Sequence, residues 1–245
     1  MNSIKKTARI AGFMYLGNII TGIFGQVVRS TLIVPGDAAA TASKIMASEL
    51  LFRFGVVSDL IMVTFYLLMG LVFYILLKPV NKNIALLMLL MNLAGVPMLG
   101  INVLNQFATL LLMSGAGYLT VFGADQLHAL GMLFFNLHEY GYSIAVISWG
   151  FYLLPLGYLI YKSGYFPRIL GVLLILASFC DLIQFFQIFL LPDYEVITYP
   201  GLAVAMIAEF SFAFWLLVKG AKEQRPAATE VARLPEMNRR RTLLG

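Results

Sequence analysis

Six long runs of apolar residues constrain this chain more than any other feature of its sequence. They lie at about residues 8–28, 54–77, 84–104, 138–161, 168–190 and 201–218. A helix needs about 20 apolar residues to cross a hydrocarbon core of about 30 Å. Because lipid offers no partner for backbone N–H and C=O groups, such segments must be helical. The sequence therefore predicts an all-α, polytopic membrane protein with six transmembrane helices.

The composition agrees with this fold class and excludes several others. Of the 245 residues, 60% are hydrophobic and 12% are charged, whereas soluble domains carry about 25% charged residues. The formal net charge of +5 does not indicate nucleic-acid binding, because the basic residues lie between apolar runs and in the tail, without interleaved aromatics. Cys180 is the only cysteine, which excludes a disulfide within the chain and a cysteine-based zinc site. We expect the lipid bilayer to be the main partner.

The lysines and arginines predict the orientation. With six spans drawn, all but three of the 17 basic residues fall on one side of the membrane. The three exceptions are Arg29, Lys44 and Arg53. Since cytoplasmic loops carry the excess of basic residues, both termini are predicted to be cytoplasmic, in the cell (inner) membrane. The charged N-terminus also resembles a signal peptide, but "GQVVRS" offers no small-residue cleavage site, so the first run is predicted to remain as a helix.

The connections between the spans predict two short outer surface helices and a tail. Asp37 is a typical N-cap for the alanine-rich stretch that follows it, and residues 124–135 have the pattern of a short amphipathic helix. Residues 1–220 are predicted to form a single transmembrane domain. Residues 221–245 contain prolines and arginines but no apolar face, and are predicted to form a disordered basic cytoplasmic tail.

Acidic residues within the predicted spans are the main candidates for a functional site, because a charge at a helix centre costs about 2.5–3.5 kcal/mol on insertion scales. The four are Asp59, Glu139, Asp181 and Glu209. Counting the helical rise from the span ends places all of them in the outer half of the bilayer, with Glu139 near the surface and Asp181 and Glu209 deepest. Several amides fall in the same half, namely Asn102, Asn105, Gln106, Gln184 and Gln187. The sequence therefore predicts an acidic pocket in the outer half, capped by the two surface helices.

These acids outnumber the basic side chains available to neutralise them. Arg53 is the basic residue well placed to pair with them, and Arg29 is a poorer candidate. We therefore expect at least one carboxyl, that of Asp181 or Glu209, to be protonated or neutralised by a bound cation. The alternative interpretation is a protonated carboxyl that hydrogen-bonds a neighbouring helix and binds no ligand.

His138 and Glu139 stand side by side at the start of the fourth predicted span. Adjacent helical residues point about 100° apart, so the two cannot both face one metal ion. Tyr142 lies at contact spacing from both. A proton relay or divalent-ion site is one interpretation, with His138, Asp181 and Glu209 as possible metal ligands; a plain headgroup-level position for the histidine and its tyrosines is the other. No H-E-x-x-H string is present, and the sequence does not indicate which cofactor, if any, the protein binds.

Five strings resemble a known prokaryotic multi-pass membrane family. They are "ARIAGFMYL", "IVPGDAAATASKIMASELLFRFG", "LHEYGYSI", "LGYLIYKSGYFPRILGVLLILA" and "AEFSFAFWLLVKG". The family is DUF4386, a domain of unknown function, and the resemblance runs from about residue 8 to residue 220. It implies an integral membrane protein in which His138, Asp181 and Glu209 belong to the family pattern, often with a tyrosine in place of Cys180. It implies no activity.

The leading hypothesis is a small-molecule or cation-binding membrane protein, a component of a transporter or sensor. Asp181 and Glu209 would form its buried site, with Asp59, His138 and Glu139 at the mouth and Arg53 and Tyr142 nearby. One alternative is an intramembrane enzyme that uses the acids and His138 on a lipid or isoprenoid. The other is a structural or partner-binding subunit without a ligand. The residues favour a role other than catalysis.

Overall fold

The computed structural model of the chain describes residues 3–115 and 117–222, which are helical apart from short connections. Its α-helices are α1 (Ser3–Leu32), α2 (Ala38–Ala47), α3 (Glu49–Leu77), α4 (Lys82–Met113), α5 (Ala124–Ser163), α6 (Arg168–Leu190) and α7 (Tyr199–Val218). All except α2 are long and apolar enough to cross a membrane. The predicted all-α fold with six membrane-spanning helices is confirmed. The predicted tail lies outside the described residues from residue 223 onward.

Several helix ends follow directly from local sequence. The Asp37 carboxylate accepts a hydrogen bond from the Ala40 N–H at 2.8 Å, so α2 begins where the sequence predicts a surface helix. Asn81 caps α4 in the same way, through the Ile84 N–H at 3.1 Å. Gly164, with φ of 65°, ends α5 in the left-handed conformation that glycine adopts without strain.

The second predicted surface helix does not exist as a separate element, and that prediction is wrong. Residues 124–135 are the first turns of α5, whose 40 residues run about 60 Å without a break. A glycine within this stretch helps the helix to pack: a Cβ on Gly131 would lie 2.8 Å from Met113 Cγ. The stretch therefore continues the long helix because its small and apolar residues pack against α4.

The six long helices form a closed ring. Around it, α1 packs against α3, α3 against α4, α4 against α5, α5 against α6, α6 against α7, and α7 against α1. We call the half that contains the short turns at residues 78–81 and 164–167 the turn half. We call the opposite half, on which residues 38–47 lie, the α2 half. Each long helix contributes to both halves.

Aromatic side chains fill the centre of the turn half. Tyr15, Phe73 and Phe212 form one group, with ring centroids 5.6–6.0 Å apart. Tyr66 stacks on Trp149 at 4.8 Å and meets Tyr152 edge-on at 5.8 Å. In the α2 half, a smaller cluster of buried apolar residues lies beneath α2. The centre of the turn half is therefore filled by packed aromatic rings, whereas the α2 half has a smaller apolar cluster.

Candidate functional site

Arg29 is the centre of a buried polar network in the α2 half. The residue is only 4% exposed. Its Nη1 forms an ion pair with Asp59 Oδ2, and its Nη2 donates to Gln26 Oε1 at 2.9 Å. Its Nε lies 3.3 Å from Glu139 Oε1. Two of the four acids predicted in the spans therefore share one guanidinium, whose planar fork suits such divided pairing.

The network continues from Asp59 to His138 through α4. Gln106 Nε2 donates to Asp59 Oδ2 at 2.6 Å and lies 2.9 Å from His138 Nε2. On the other side of the His138 imidazole, Asn102 Nδ2 lies 3.1 Å from Nδ1, and it donates to the His138 carbonyl at 2.8 Å. His138 is 2% exposed. Amide N–H groups can donate only to the imidazole nitrogen that carries no proton, so Nε2 accepts from Gln106 while Nδ1–H donates to the Asn102 backbone carbonyl 3.3 Å away.

His138 and Glu139 diverge around α5, as their adjacency predicts. His138 points towards α4, whereas the Glu139 carboxylate meets Arg29 of α1. The two residues are not at the start of a helix, because α5 begins at Ala124. Together they join α5 to its neighbour α4 and, across the ring, to α1 in one polar network.

A cavity of about 540 Å³ lies beside this network, between α1, α5, α6 and α7. Three of the predicted acids line it, Glu139, Asp181 and Glu209. Tyr142 and Arg29 line it as well, while Asp59 and His138 are not among its lining residues. The remaining walls are mostly apolar and include Ile19, Ile23, Val146, Trp149, Ile188, Leu202, Met206 and Phe210. The structure thus brings four of the predicted site residues around one space and places Asp59 and His138 behind Arg29.

The cavity is elongated along the helices and has two polar ends. On α1 its lining extends from Asn18 to Arg29, about 16 Å at the helical rise. Arg29 and Glu139 lie at the end nearer α2. We call the end nearer the turn half, formed by Asn18, Asp181 and Glu209, the inner end. Counting residues from the turn-half end of α1, α6 and α7 puts these three residues at about the same level.

The two carboxylates at the inner end differ from the other two in their pairing. Glu209 Oε2 accepts a hydrogen bond from the Tyr15 hydroxyl at 3.1 Å. Asp181 has no hydrogen bond or ion pair within residues 3–115 and 117–222. Over the same residues, neither carboxylate forms an ion pair with a basic side chain.

The expectation that Arg53 pairs with the intramembrane acids is wrong. Its Nη2 lies 2.6 Å from Glu49 Oε1, one turn earlier on α3, and 53% of its side chain is exposed. Arg29 pairs with the acids instead. Helix α1 continues to Leu32, past the predicted end of the span, so Arg29 is part of this helix and lies inside the bundle. The signal that could have found it is Gln26, an amide one turn before Arg29 on the same helix face.

The three residues considered as metal ligands are not gathered at one point. Within the described part of the chain, no group of three or more His, Cys, Asp and Glu side chains is placed to hold a metal ion. His138 is held against α4, whereas Asp181 and Glu209 lie at the inner end of the cavity.

Comparisons with known proteins identify a family across most of the helical bundle and a relative over part of it. The profile of the family described as "Domain of unknown function (DUF4386)" matches residues 10–220. A protein of Archaeoglobus fulgidus named "Uncharacterized protein" is 31% identical over 161 residues, which are 64% of this chain and 77% of that protein. No solved structure matches the chain. The matched range contains both the polar network and the cavity.

Proposed function

The chain belongs to the DUF4386 family, and from that premise we propose that it is a multi-pass membrane protein that binds a small molecule or a cation in this cavity, as a component of a transporter or sensor. A fold and family without an assigned activity give no function by themselves, so the proposal rests on the site. One observation carries it: a cavity of about 540 Å³ inside the helical ring holds Asp181 and Glu209 without a basic partner among the described residues.

The shape and chemistry of the cavity support a ligand site. Ligand pockets commonly measure about 300–1,000 Å³ and combine apolar walls with a few polar groups. Ionisable residues that face the interior of a membrane bundle commonly belong to substrate or ion pathways. Helix packing alone does not require Asp181, because that carboxylate bonds no neighbouring helix within the described residues.

We further propose that both termini are cytoplasmic, in the cell (inner) membrane, so that the α2 half and its cavity face outward. The support is the distribution of basic residues, with Lys78, Lys82, Lys162 and Arg168 at the turns of the turn half. Alkaline phosphatase fused after Gly36 should be active in whole cells, and the same enzyme fused at Gly245 should be inactive. The reverse pattern would refute the orientation.

Ligand-dependent stabilisation tests the proposed function. The full chain is placed in lipid nanodiscs, and its melting temperature is measured against a panel of small molecules and inorganic cations. A compound that binds the folded state raises the melting temperature according to its concentration relative to Kd. We expect Asp181→Asn and Glu209→Gln to abolish the shift given by the true ligand. Glu49→Gln, which removes a carboxylate of the exposed Arg53 pair, is the matched control and should retain it. If every shift observed survives both cavity substitutions, the proposal fails.

A further inference from the structure

We infer that the ligand of this cavity is a protonated amine attached to an apolar body, with its ammonium group at the inner end beside Asp181 and Glu209. This inference rests on the proposed function and specifies its ligand class. It follows from three properties of the cavity: the hydrogen-bonding groups at its inner end, its charge balance, and its apolar middle.

The first property is that the inner end offers hydrogen-bond acceptors. Asn18 is 1% exposed and lines the cavity. Its amide nitrogen donates to the Met62 carbonyl at 3.0 Å, while its side-chain oxygen accepts no hydrogen bond from the described residues. Together with the carboxylates of Asp181 and Glu209, this gives three acceptor groups at one level. An alkylammonium group brings three N–H donors and no acceptor, and so it complements them.

The second property is an excess of carboxyl groups over basic side chains. Within the described residues, Arg29 is the cation of the site, and its ion pairs are with Asp59 and Glu139. Tyr15 gives Glu209 a hydrogen bond but no charge. A buried carboxylate without a counter-ion is unfavourable, because its desolvation is not offset. A ligand cation at the inner end would supply the missing positive charge.

The third property is the apolar stretch between the two polar ends. Ile19, Ile23, Val146 and Met206 line the cavity there, with the Gln184 amide and the Ser143 hydroxyl as the polar groups among them. Such walls cannot replace the hydration shell of a metal ion, but they favour a hydrocarbon body, because removing apolar surface from water is favourable. An inorganic cation would use the acids and leave this stretch without a role. An amine on an apolar body uses both.

Four probes that share one carbon skeleton test the ligand class. They are 4-phenylbutylamine, (4-phenylbutyl)trimethylammonium, 4-phenylbutanol and 4-phenylbutanoate. The chain has two tryptophans, of which Trp149 lines the cavity and Trp215 packs against the core of the turn half. In the full chain carrying Trp215→Phe, held in phosphatidylcholine nanodiscs, Trp149 emission reports directly on the cavity.

We expect 4-phenylbutylamine to change Trp149 emission saturably and to bind at least tenfold more tightly than the other three probes. The trimethylammonium probe keeps the charge but lacks N–H donors, the alcohol lacks the charge, and the carboxylate reverses it. In a variant that also carries Asp181→Asn and Glu209→Gln, amine affinity should fall to that of the alcohol. Adding Glu49→Gln instead should leave it unchanged. Magnesium and sodium chlorides at matched ionic strength should not compete.

The outcomes separate the ligand class from the proposed function. If the alcohol, the carboxylate or the trimethylammonium probe binds as tightly as the amine, or if magnesium competes, the amine assignment is wrong while a ligand site remains. If none of the four probes binds saturably, the amine assignment and the cavity's role as a site for such molecules both fail. The probe comparison uses unaltered Asp181 and Glu209, so it remains decisive even if the variant with both changes does not fold.

Discussion

The two halves of the bundle are built from the same six helices but differ in what fills their centres. In the turn half, Tyr15, Phe73 and Phe212 meet at the centre with no exposed surface. In the α2 half the centre holds a buried arginine, a histidine and an open cavity. Rings supply many dispersion contacts and hold the turn half together. The comparison indicates that one half secures the fold, which allows the other to keep charges and empty space.

The means of holding the helices also differ between the halves. α5 and α6 approach most closely at Gly157 and Gly171, where a Cβ on either glycine would lie within 2.7 Å of the opposite backbone. Small residues at such crossings are typical of membrane helices, which associate through close packing. The α2 half instead joins α1 to α3 and α5 through Arg29. Substitutions should therefore have different consequences at the two ends.

Removal of Arg29 should have the largest effect of any single change. Arg29→Met leaves Asp59 buried without its cation and also unpairs Glu139. Loss of one partner of a buried pair costs about 3–5 kcal/mol, and most of this comes from Asp59, because the Glu139 side chain is 41% exposed. Thermal or denaturant unfolding in nanodiscs measures the loss. The double change Arg29→Met with Asp59→Leu is the control, because removing both charges should recover most of the stability. Equal losses in the single and double variants would show that the ion pair does not hold the α2 half.

Truncation of a packed aromatic ring should be the next largest effect. Phe212 has no exposed surface, so Phe212→Ala should cost about 3–4 kcal/mol through lost contacts and the cavity it creates. Met206, two turns earlier on α7, lines the existing cavity and is 49% exposed. Met206→Ala should cost less than about 1 kcal/mol, since its contacts are few. Similar losses from the two truncations, measured by the same unfolding assay, would show that the halves are equally packed.

A methyl group at the closest helix crossing should give an intermediate effect. In Gly171→Ala the added Cβ would lie 2.6 Å from both Gly157 O and Tyr161 N. Backbone atoms cannot move aside as a flexible side chain can, so α5 and α6 must separate, at about 1–3 kcal/mol. Gly100→Ala is the control, because a Cβ there meets nothing within 4 Å. Unfolding of the two variants, compared with the parent, decides whether the turn half depends on this approach.

The sequence predicts the bundle well because its signal is long and repeated. Each span contributes about 20 apolar residues, and the physical requirement of a membrane-spanning segment leaves only the helix. The N-cap at Asp37 is equally legible, since one carboxylate and one N–H define it. The prediction of a separate surface helix at residues 124–135 is wrong because a helix can extend beyond its strongly apolar span into less apolar sequence, as α5 does at its start. The local sequence does not show that α4 lies beside this stretch, and packing against α4 stabilises the extension of α5.

The candidate site is less predictable because it depends on which helix neighbours which. The positions of Asp181 and Glu209 on one level follow from counting residues along two helices, and the structure places both on one cavity. The pairing of Arg29 with Asp59 requires α1 beside α3, which no local spacing indicates. Asn102 and Gln106 are visible as amides within a span, but their role at His138 depends on the contact between α4 and α5. The Tyr15–Glu209 hydrogen bond requires in turn that α1 and α7 close the ring.

The smallest expected effect concerns Arg53, and it tests the assignment of the cation most directly. Arg53 and Arg29 both belong to the α2 half, yet Arg53 pairs with Glu49 on an exposed helix face. Exposed pairs one helical turn apart contribute about 0.3–0.5 kcal/mol, because water screens the charges and ordering two long side chains opposes the attraction. Arg53→Ala should therefore change the unfolding free energy by no more than about 0.5 kcal/mol and leave unchanged the amine affinity that Trp149 emission reports. A loss approaching that of Arg29→Met would mean that Arg53 shares with Arg29 the neutralisation of the acids of the bundle. If Arg53→Ala leaves the unfolding free energy almost unchanged while Arg29→Met lowers it strongly, Arg29 is the residue that balances the charges of the α2 half.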